Sequence, residues 1–400
     1  MDNHHTPHVD KFRLKFSEPS RSWDAVLRAV SFALQRGVRE LELDFSSAAP
    51  NNTDRHALFR LPGHVLGGSS GKNNNLEKLR LFSCGFLNMG DLLGVGQFVG
   101  LKDVFFGGVG LRTCELKSLL RQCRGIERLG LSKCWGLADF DMVGDEEEEG
   151  LILMGRVREL VIDECEFDHM GFLSFKAPNL KVFKYCGGVC FSEIEVKPGV
   201  MEEAHLDFAH EFDLDFGDAL YKLMLDLYPV RVLTVCSYFL QVIPNGDEAV
   251  RMEYDMNVRH LILNTALHSN EFCGISFLLN SCPYLHTLTI DLTPPHRLFY
   301  DYEAPYSFDG KRFWAEHAID YKCVRRSLKV VEVRGFRGTW DELMVVSYLV
   351  HYGRVLHNIH IYPLIEQDDH DGQKLQRYRF NANFFSTREK ASKKLKITIY

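Results

Sequence analysis

The sequence predicts an α/β solenoid of stacked units, each one strand and one return segment, with a parallel sheet on the inner face and helices and loops outside. Three observations carry this. A nine-position template with apolar residues at one, four and six fits Ile126–Cys134 (Ile-Glu-Arg-Leu-Gly-Leu-Ser-Lys-Cys), which is the L-x-x-L-x-L-x-x-N/C pattern of a leucine-rich repeat. The template recurs in order, with starts at Val9, Val38, Leu76, Leu101, Ile126, Val157, Leu180, Met201, Val230, Val258, Leu285, Leu328 and Leu356. The intervals run from 21 to 43 residues and average about 29, the upper edge of the period expected for such repeats.

Positions four and six lie two apart, so on a strand they share one face while positions three, five and seven share the other. A lone unit buries too few aliphatic side chains to outweigh the chain entropy of ordering it. Stacking pairs neighbouring strands in parallel and covers each apolar face with the next, which predicts a right-handed, curved leucine-rich-repeat solenoid.

In order along the chain, residues 1–8 are expected to be a disordered N-terminus and 9–327 the repeat domain. Lys11–Phe16 alternates as the first strand. Ser22 opens a helix whose apolar residues Trp23, Val26, Leu27, Val30, Ala33 and Leu34 fall at three- and four-residue steps, and Gly37 closes it. Polar loops are expected at 46–55, 67–75 and 144–150. The second holds Gly67-Gly68-Ser69-Ser70-Gly71-Lys72, which lacks the Gly and Ser/Thr that a phosphate loop needs where Leu66 and Asn73 stand. The third, Gly144–Gly150, is an acidic run that reads as a solvated loop.

The aromatic insert at 293–320 holds Phe299, Tyr300, Tyr302, Tyr306, Phe308, Phe313 and Trp314, which are expected to fold back over the core. From 328 to 400 come further repeats and a basic tail. Leu328–Val333 is a strand, Gly335–Gly338 a turn, and Thr339 with Glu342 a capping box opening a helix that Gly353 stops. Leu356–Ile361 is the last repeat strand and Leu395–Ile399 a short edge strand.

The segment Ser327–Pro363, with Phe313-Trp314 upstream and Leu-Lys-Val-Val-Glu-Val-Arg-Gly-Phe-Arg-Gly as its core, resembles the FBD region of plant F-box/leucine-rich-repeat proteins. Val38–Leu43 and Leu76–Leu81 are similar to early repeats of that family. The resemblance implies the substrate-recognition part of an SCF-type E3 ubiquitin ligase receptor, in which the repeats hold a target protein and an F-box docks on a Skp adaptor and cullin. Only eight residues precede Val9, so an F-box is expected to be missing, and Skp and cullin become partners only if one is supplied. The alternative is a free-standing repeat protein with no ligase link, competing with full-length relatives.

Composition narrows the function classes. A net charge of −7 and a pI near 6.2 argue against nucleic acid as a partner. No apolar run reaches the roughly 18 residues of a membrane span, and Met1–Asp10 lacks the layout of a signal peptide. Eleven cysteines scattered at repeat positions suit free thiols in the cytoplasm and/or nucleus. No catalytic constellation is found: His4, His5 and His8 lie in a polar tail, Cys186 and Cys190 are not a metal-binding pair, and His205 with Asp207 simply share a strand face. An enzyme, a metal and a cofactor are therefore not expected.

Positions five and seven trace the expected binding face. Phe82, Phe105 and Val161 are apolar where water would be met, beside Gly107 and Gly130, with Asp163, Lys184, His205 and Asp207 beyond. An apolar patch with a charged rim suits a target protein.

Overall fold

A computed structural model describes residues 9–16, 19–46, 59–61, 75–86, 100–143, 152–168, 171–196, 200–208, 211–244, 250–299, 303–316 and 320–400. The chain divides into two compact units, Met1–Tyr185 with Cys190–Lys197, and Cys186–Val189 with Pro198–Tyr400. The expected polar loops, residues 1–8 and part of the aromatic insert fall outside the described residues.

In the first unit, β1 (Lys11–Lys15), β2 (Glu40–Asp44), β3 (Lys78–Phe82), β4 (Asp103–Gly107), β5 (Arg128–Ser132), β6 (Glu159–Asp163) and β7 (Val182–Cys186) lie side by side in chain order. Each starts two residues after a predicted template start, so the repeat phase read from the sequence is the phase of the fold. The register keeps equivalent positions opposite one another, as in Leu41↔Leu79↔Val104↔Leu129↔Leu160. These position-four side chains are at most 1% exposed.

Position two is a backbone hub. Glu77 O accepts the amides of both Lys102 and Asp103, Lys102 O those of Glu127 and Arg128, and Glu127 O those of Arg158 and Glu159. Position eight is the corner that turns the chain off each strand. Ser83 (φ 52°), Gly108 (59°), Lys133 (51°) and Glu164 (46°) take the left-handed conformation there, where only glycine avoids a steric cost. Position nine turns inward: Cys84 and Cys134 are buried, and Cys134 Sγ lies 3.3 Å from Phe106 O.

The return segments differ from expectation. α1 (Trp23–Gln35) and α2 (Thr113–Gln122) are helices. Between β5 and β7, and after β7, the return is instead extended: Phe140–Met142, Leu173–Ala177 and Phe191–Val196 form a second, three-stranded parallel sheet. For Leu173–Ala177 and Phe191–Val196 the cause is length. The interval from Val157 to Leu180 is 23 residues and the next is 21, and a strand covers the return in fewer residues at about 3.3 Å each than a helix at about 1.5 Å. Ser22 stands at the N-cap of α1 but its side chain makes no capping bond; Gly37, at φ 69°, closes the helix.

In the second unit, β8 (Glu203–Asp207), β9 (Val232–Val235), β10 (His260–Asn264), β11 (Thr287–Asp291), β12 (Val330–Phe336), β13 (Asn358–Pro363) and β14 (Lys396–Ile399) pair in parallel and in chain order. Their returns carry α3 (Gly217–Asp226), α4 (Ser237–Val242), α5 (Phe272–Ser281), α6 (Phe313–Glu316), α7 (Lys322–Arg326), α8 (Trp340–Tyr352) and α9 (Gln373–Ala382). The strands' inward residues, Leu233, Leu261, Leu288, Val331 and Ile359 among them, are at most 1% exposed.

The aromatic insert folds onto α5. Phe313 and Trp314 are buried, with ring centroids 5.4 and 5.6 Å from Phe272. The cap of α8 is half the expected box. Thr339 Oγ1 accepts the Glu342 amide, but the buried Glu342 carboxylate does not return to Thr339. It accepts the amides of Arg337 (2.8 Å) and Gly338 (2.7 Å) and so closes the preceding turn. That turn requires glycine at both ends: Gly335 and Gly338 have φ of 75° and 79°, and a Cβ on Gly338 would stand 2.4 Å from Asn381 Cβ.

Candidate protein-binding face

The outward side of the first unit's strands begins as a ladder of ion pairs. Arg13 bonds Glu42 at 2.8 Å, Lys11 and Lys78 flank Glu40 at 3.2 and 2.6 Å, and Arg39 and Lys102 flank Glu77 at 2.8 and 3.5 Å. Hydrogen bonds from Lys78 and Arg39 hold the Glu40 and Glu77 carboxyls below the usual carboxylate range. The in-register spacing makes these pairs geometrically automatic once opposite charges occupy equivalent positions.

The ladder stops at Phe82 and Phe105. Register places Phe82 opposite Gly107 and Phe105 opposite Gly130. The missing side chains open two gaps, and each ring lies down into one. A Cβ on Gly107 would be 2.6 Å from Phe82 Cδ1, and one on Gly130 2.3 Å from Phe105 Cδ2. The two rings are themselves 5.4 Å apart and tilted by 36°. Both remain half-buried, so they present a flat apolar surface rather than two protruding side chains. Val161 continues the row of Phe105 and Gly130, and Asp163 continues that of Phe82, Gly107 and Ser132, accepting a hydrogen bond from Ser132 Oγ at 2.6 Å.

The sequence reading missed the near rim of this patch. Arg80, opposite Phe105, and Arg128 converge on Asp103 at 3.6 and 3.1 Å, with Asp103 only 5% exposed. Position three carries Asp103 and Arg128, and tracing positions five and seven alone passes over that row.

Of the predicted site residues, Phe82, Phe105, Val161, Asp163 and Lys184 lie on the first unit. His205 and Asp207 lie on β8 of the second, on its outward side. There Asp207 lines a cleft with Cys236, Ser237, Tyr238, Asn264 and the segment Pro294–Arg297, of about 20 Å³, room for little more than one water molecule. That segment is tied down by Gln241, which donates to Arg297 O at 2.8 Å and accepts the Phe299 amide at 3.0 Å. The cleft is a packed junction. Among the described residues no helix is long and apolar enough to cross a membrane.

Comparison with known proteins gives two matching family models: one described as "At1g61320/AtMIF1, LRR domain" over residues 1–340, and FBD over residues 321–361. "Putative F-box protein At3g29830" of Arabidopsis thaliana is 33% identical over 376 residues, covering 88% of this chain and 74% of the relative. "F-box protein At3g62230" of the same organism is 30% identical over 396 residues, covering 98% and 81%.

Proposed function

The chain belongs to the leucine-rich-repeat family of the At1g61320/AtMIF1 type and carries an FBD segment, and from that membership we propose that it is a non-catalytic module holding a target protein on the outward strand face of its repeats. The observation that carries this is the Phe82–Phe105 pair seated on Gly107 and Gly130. Two aromatic rings kept half-open on a face otherwise given to ion pairs, with Arg80, Asp103 and Arg128 at the edge, have the anatomy of an interface centre and its polar rim. Val161, Asp163 and Lys184 extend the surface on the first unit; His205 and Asp207 stand on the second unit's own outward strand face.

In the ubiquitin-ligase setting that F-box relatives suggest, this module presents the target, and a Skp adaptor and cullin engage through an F-box. The alternative is a repeat protein that binds its target without a ligase. We place it in the cytoplasm and/or nucleus, a reading supported by eleven cysteines that are all free thiols.

Affinity capture followed by mass spectrometry tests the face. Phe82→Asp combined with Phe105→Asp should abolish the proteins retained by the parent chain while leaving its thermal unfolding cooperative. Retention of the same set by the folded double variant would remove the patch as the site. Co-purification of a Skp adaptor favours the ligase setting, and its absence from chains that carry an F-box favours the alternative.

A further inference from the structure

We propose that the second unit carries a docking cleft for a phosphorylated serine or threonine in a segment of a partner protein, built by Arg259, Arg326 and Lys329 beside the Tyr284 ring. The site is separate from the strand face and does not depend on it. Arg259, Tyr284, His286, Arg326, Ser327 and Lys329 line a shallow cleft of about 470 Å³.

The backbone explains why cations meet here. Arg259, His286 and Lys329 hold position two of three successive repeats. Arg259 O accepts the amides of His286 and Thr287, and His286 O those of Lys329 and Val330, so the three side chains start one strand spacing apart. In the first unit the same position alternates in sign from Asp10 to Arg158, and its members there pair with each other: Arg39 with Glu77 at 2.8 Å and Glu77 with Lys102 at 3.5 Å. In the second unit the position is basic from Arg231 onward, and α7 adds Arg326 from the side.

Among the described residues neither Arg326 nor Lys329 has a carboxylate partner, and Arg259 has none either. The Arg259 guanidinium instead reaches Tyr284 O at 3.4 Å and sits 5.0 Å from the Tyr284 ring centre. The nearby carboxylates are otherwise engaged, Asp255 with Arg251 and Lys322, and Asp320 with Arg325. Arg259 and Lys329 stand two strand spacings apart with His286 between them and Arg326 beside them, three cations gathered in one cleft without a carboxylate, and a chain of net charge −7 has acid to spare elsewhere. The arrangement is relieved by a dianion.

A phosphate monoester carries close to two charges and three strong acceptor oxygens, which match two guanidinium forks and an ammonium; one carboxylate would leave charge unbalanced. The open shape suits a modified side chain and its flanking backbone rather than an enclosed small molecule. Tyr284, 43% exposed, offers an apolar face for the residue beside the phosphate.

The test uses arrays of degenerate peptides with a fixed central phosphoserine or phosphothreonine, the same arrays without phosphate, and arrays with Glu at that position. The full chain should be retained by the phosphorylated arrays at least about tenfold better than by either control, and Arg259→Gln with Arg326→Gln should remove that preference. Both residues are exposed, and an unchanged melting profile separates lost binding from lost fold. Equal retention by Glu arrays, by unphosphorylated arrays, or by the double variant would overturn the proposal. The Phe82/Phe105 variant should keep the preference, which distinguishes this site from the strand face.

Discussion

The ring of Phe105 occupies the space that a side chain at Gly130 would need: a Cβ there would meet Phe105 Cδ2 at 2.3 Å and Cε2 at 2.8 Å. The glycine and the aromatic are therefore one feature on two neighbouring strands. Gly130→Ala should lift the ring off the sheet and cost about 1–3 kcal/mol through overpacking. Calorimetry would show a lower melting temperature, and target capture should weaken in parallel. A stability equal to the parent's would mean the ring swings aside freely.

Glu342 closes the turn before α8 by accepting two backbone amides on a buried carboxylate. Glu342→Ala strands both amides and should cost about 2–4 kcal/mol, against about 1 kcal/mol for Thr339→Ala, which removes only the helix cap. Denaturant unfolding of the two variants checks the order; the reverse order would assign the turn's stability to the cap.

The buried thiols of Cys84, Cys123, Cys236 and Cys323 should be chemically silent. Burial pushes the Cys84 thiol up to about 12, and does the same for Cys123, Cys236 and Cys323, leaving almost no thiolate at pH 8. Iodoacetamide at that pH should label exposed Cys114 first and the four buried thiols only in denaturant, read by peptide mass mapping. Early labelling of Cys84 would show that its repeat opens on the labelling timescale.

The Glu40 and Glu77 carboxyls are held below their ordinary value of 4.5 by Lys78 and Arg39. A lowered folded-state pKa gives stability that is present above pH 4.5 and is lost as pH falls through the folded value. Acid titration of unfolding should therefore show a loss of stability below pH 4.5 that Glu40→Gln with Glu77→Gln reduces. Since these pairs are solvent-exposed, added salt should shrink the same difference.

The strands were legible because apolar periodicity and burial are the same constraint: Leu129 and Leu131 must face inward wherever their repeat is placed. Relations across repeats were less so. Nothing local marks Lys133 or Glu164 for a left-handed backbone, a conformation usually signalled by glycine, since the requirement comes from the corner and not from the residue. The outer strand Leu173–Ala177 is set by the shortness of its repeat, and Glu342 was paired with the wrong amide because a capping box looks the same in sequence as a carboxylate reaching one or two residues further back. For the binding face, Phe82 and Phe105 stood out by being apolar at outward positions. Their seating on Gly107 and Gly130 emerges only once the register aligns them, and Asp103 between Arg80 and Arg128 only when a third row is counted.

The shared carbonyl at position two fixes where each rung begins without reference to what lies between rungs. Spacing between successive starts can therefore stretch from 21 residues to 43 with the alignment across the sheet unchanged. Such a chain can gain or lose material on its outer side, exchange one kind of crossing for another, and still offer the same rows of side chains in the same order to whatever it meets.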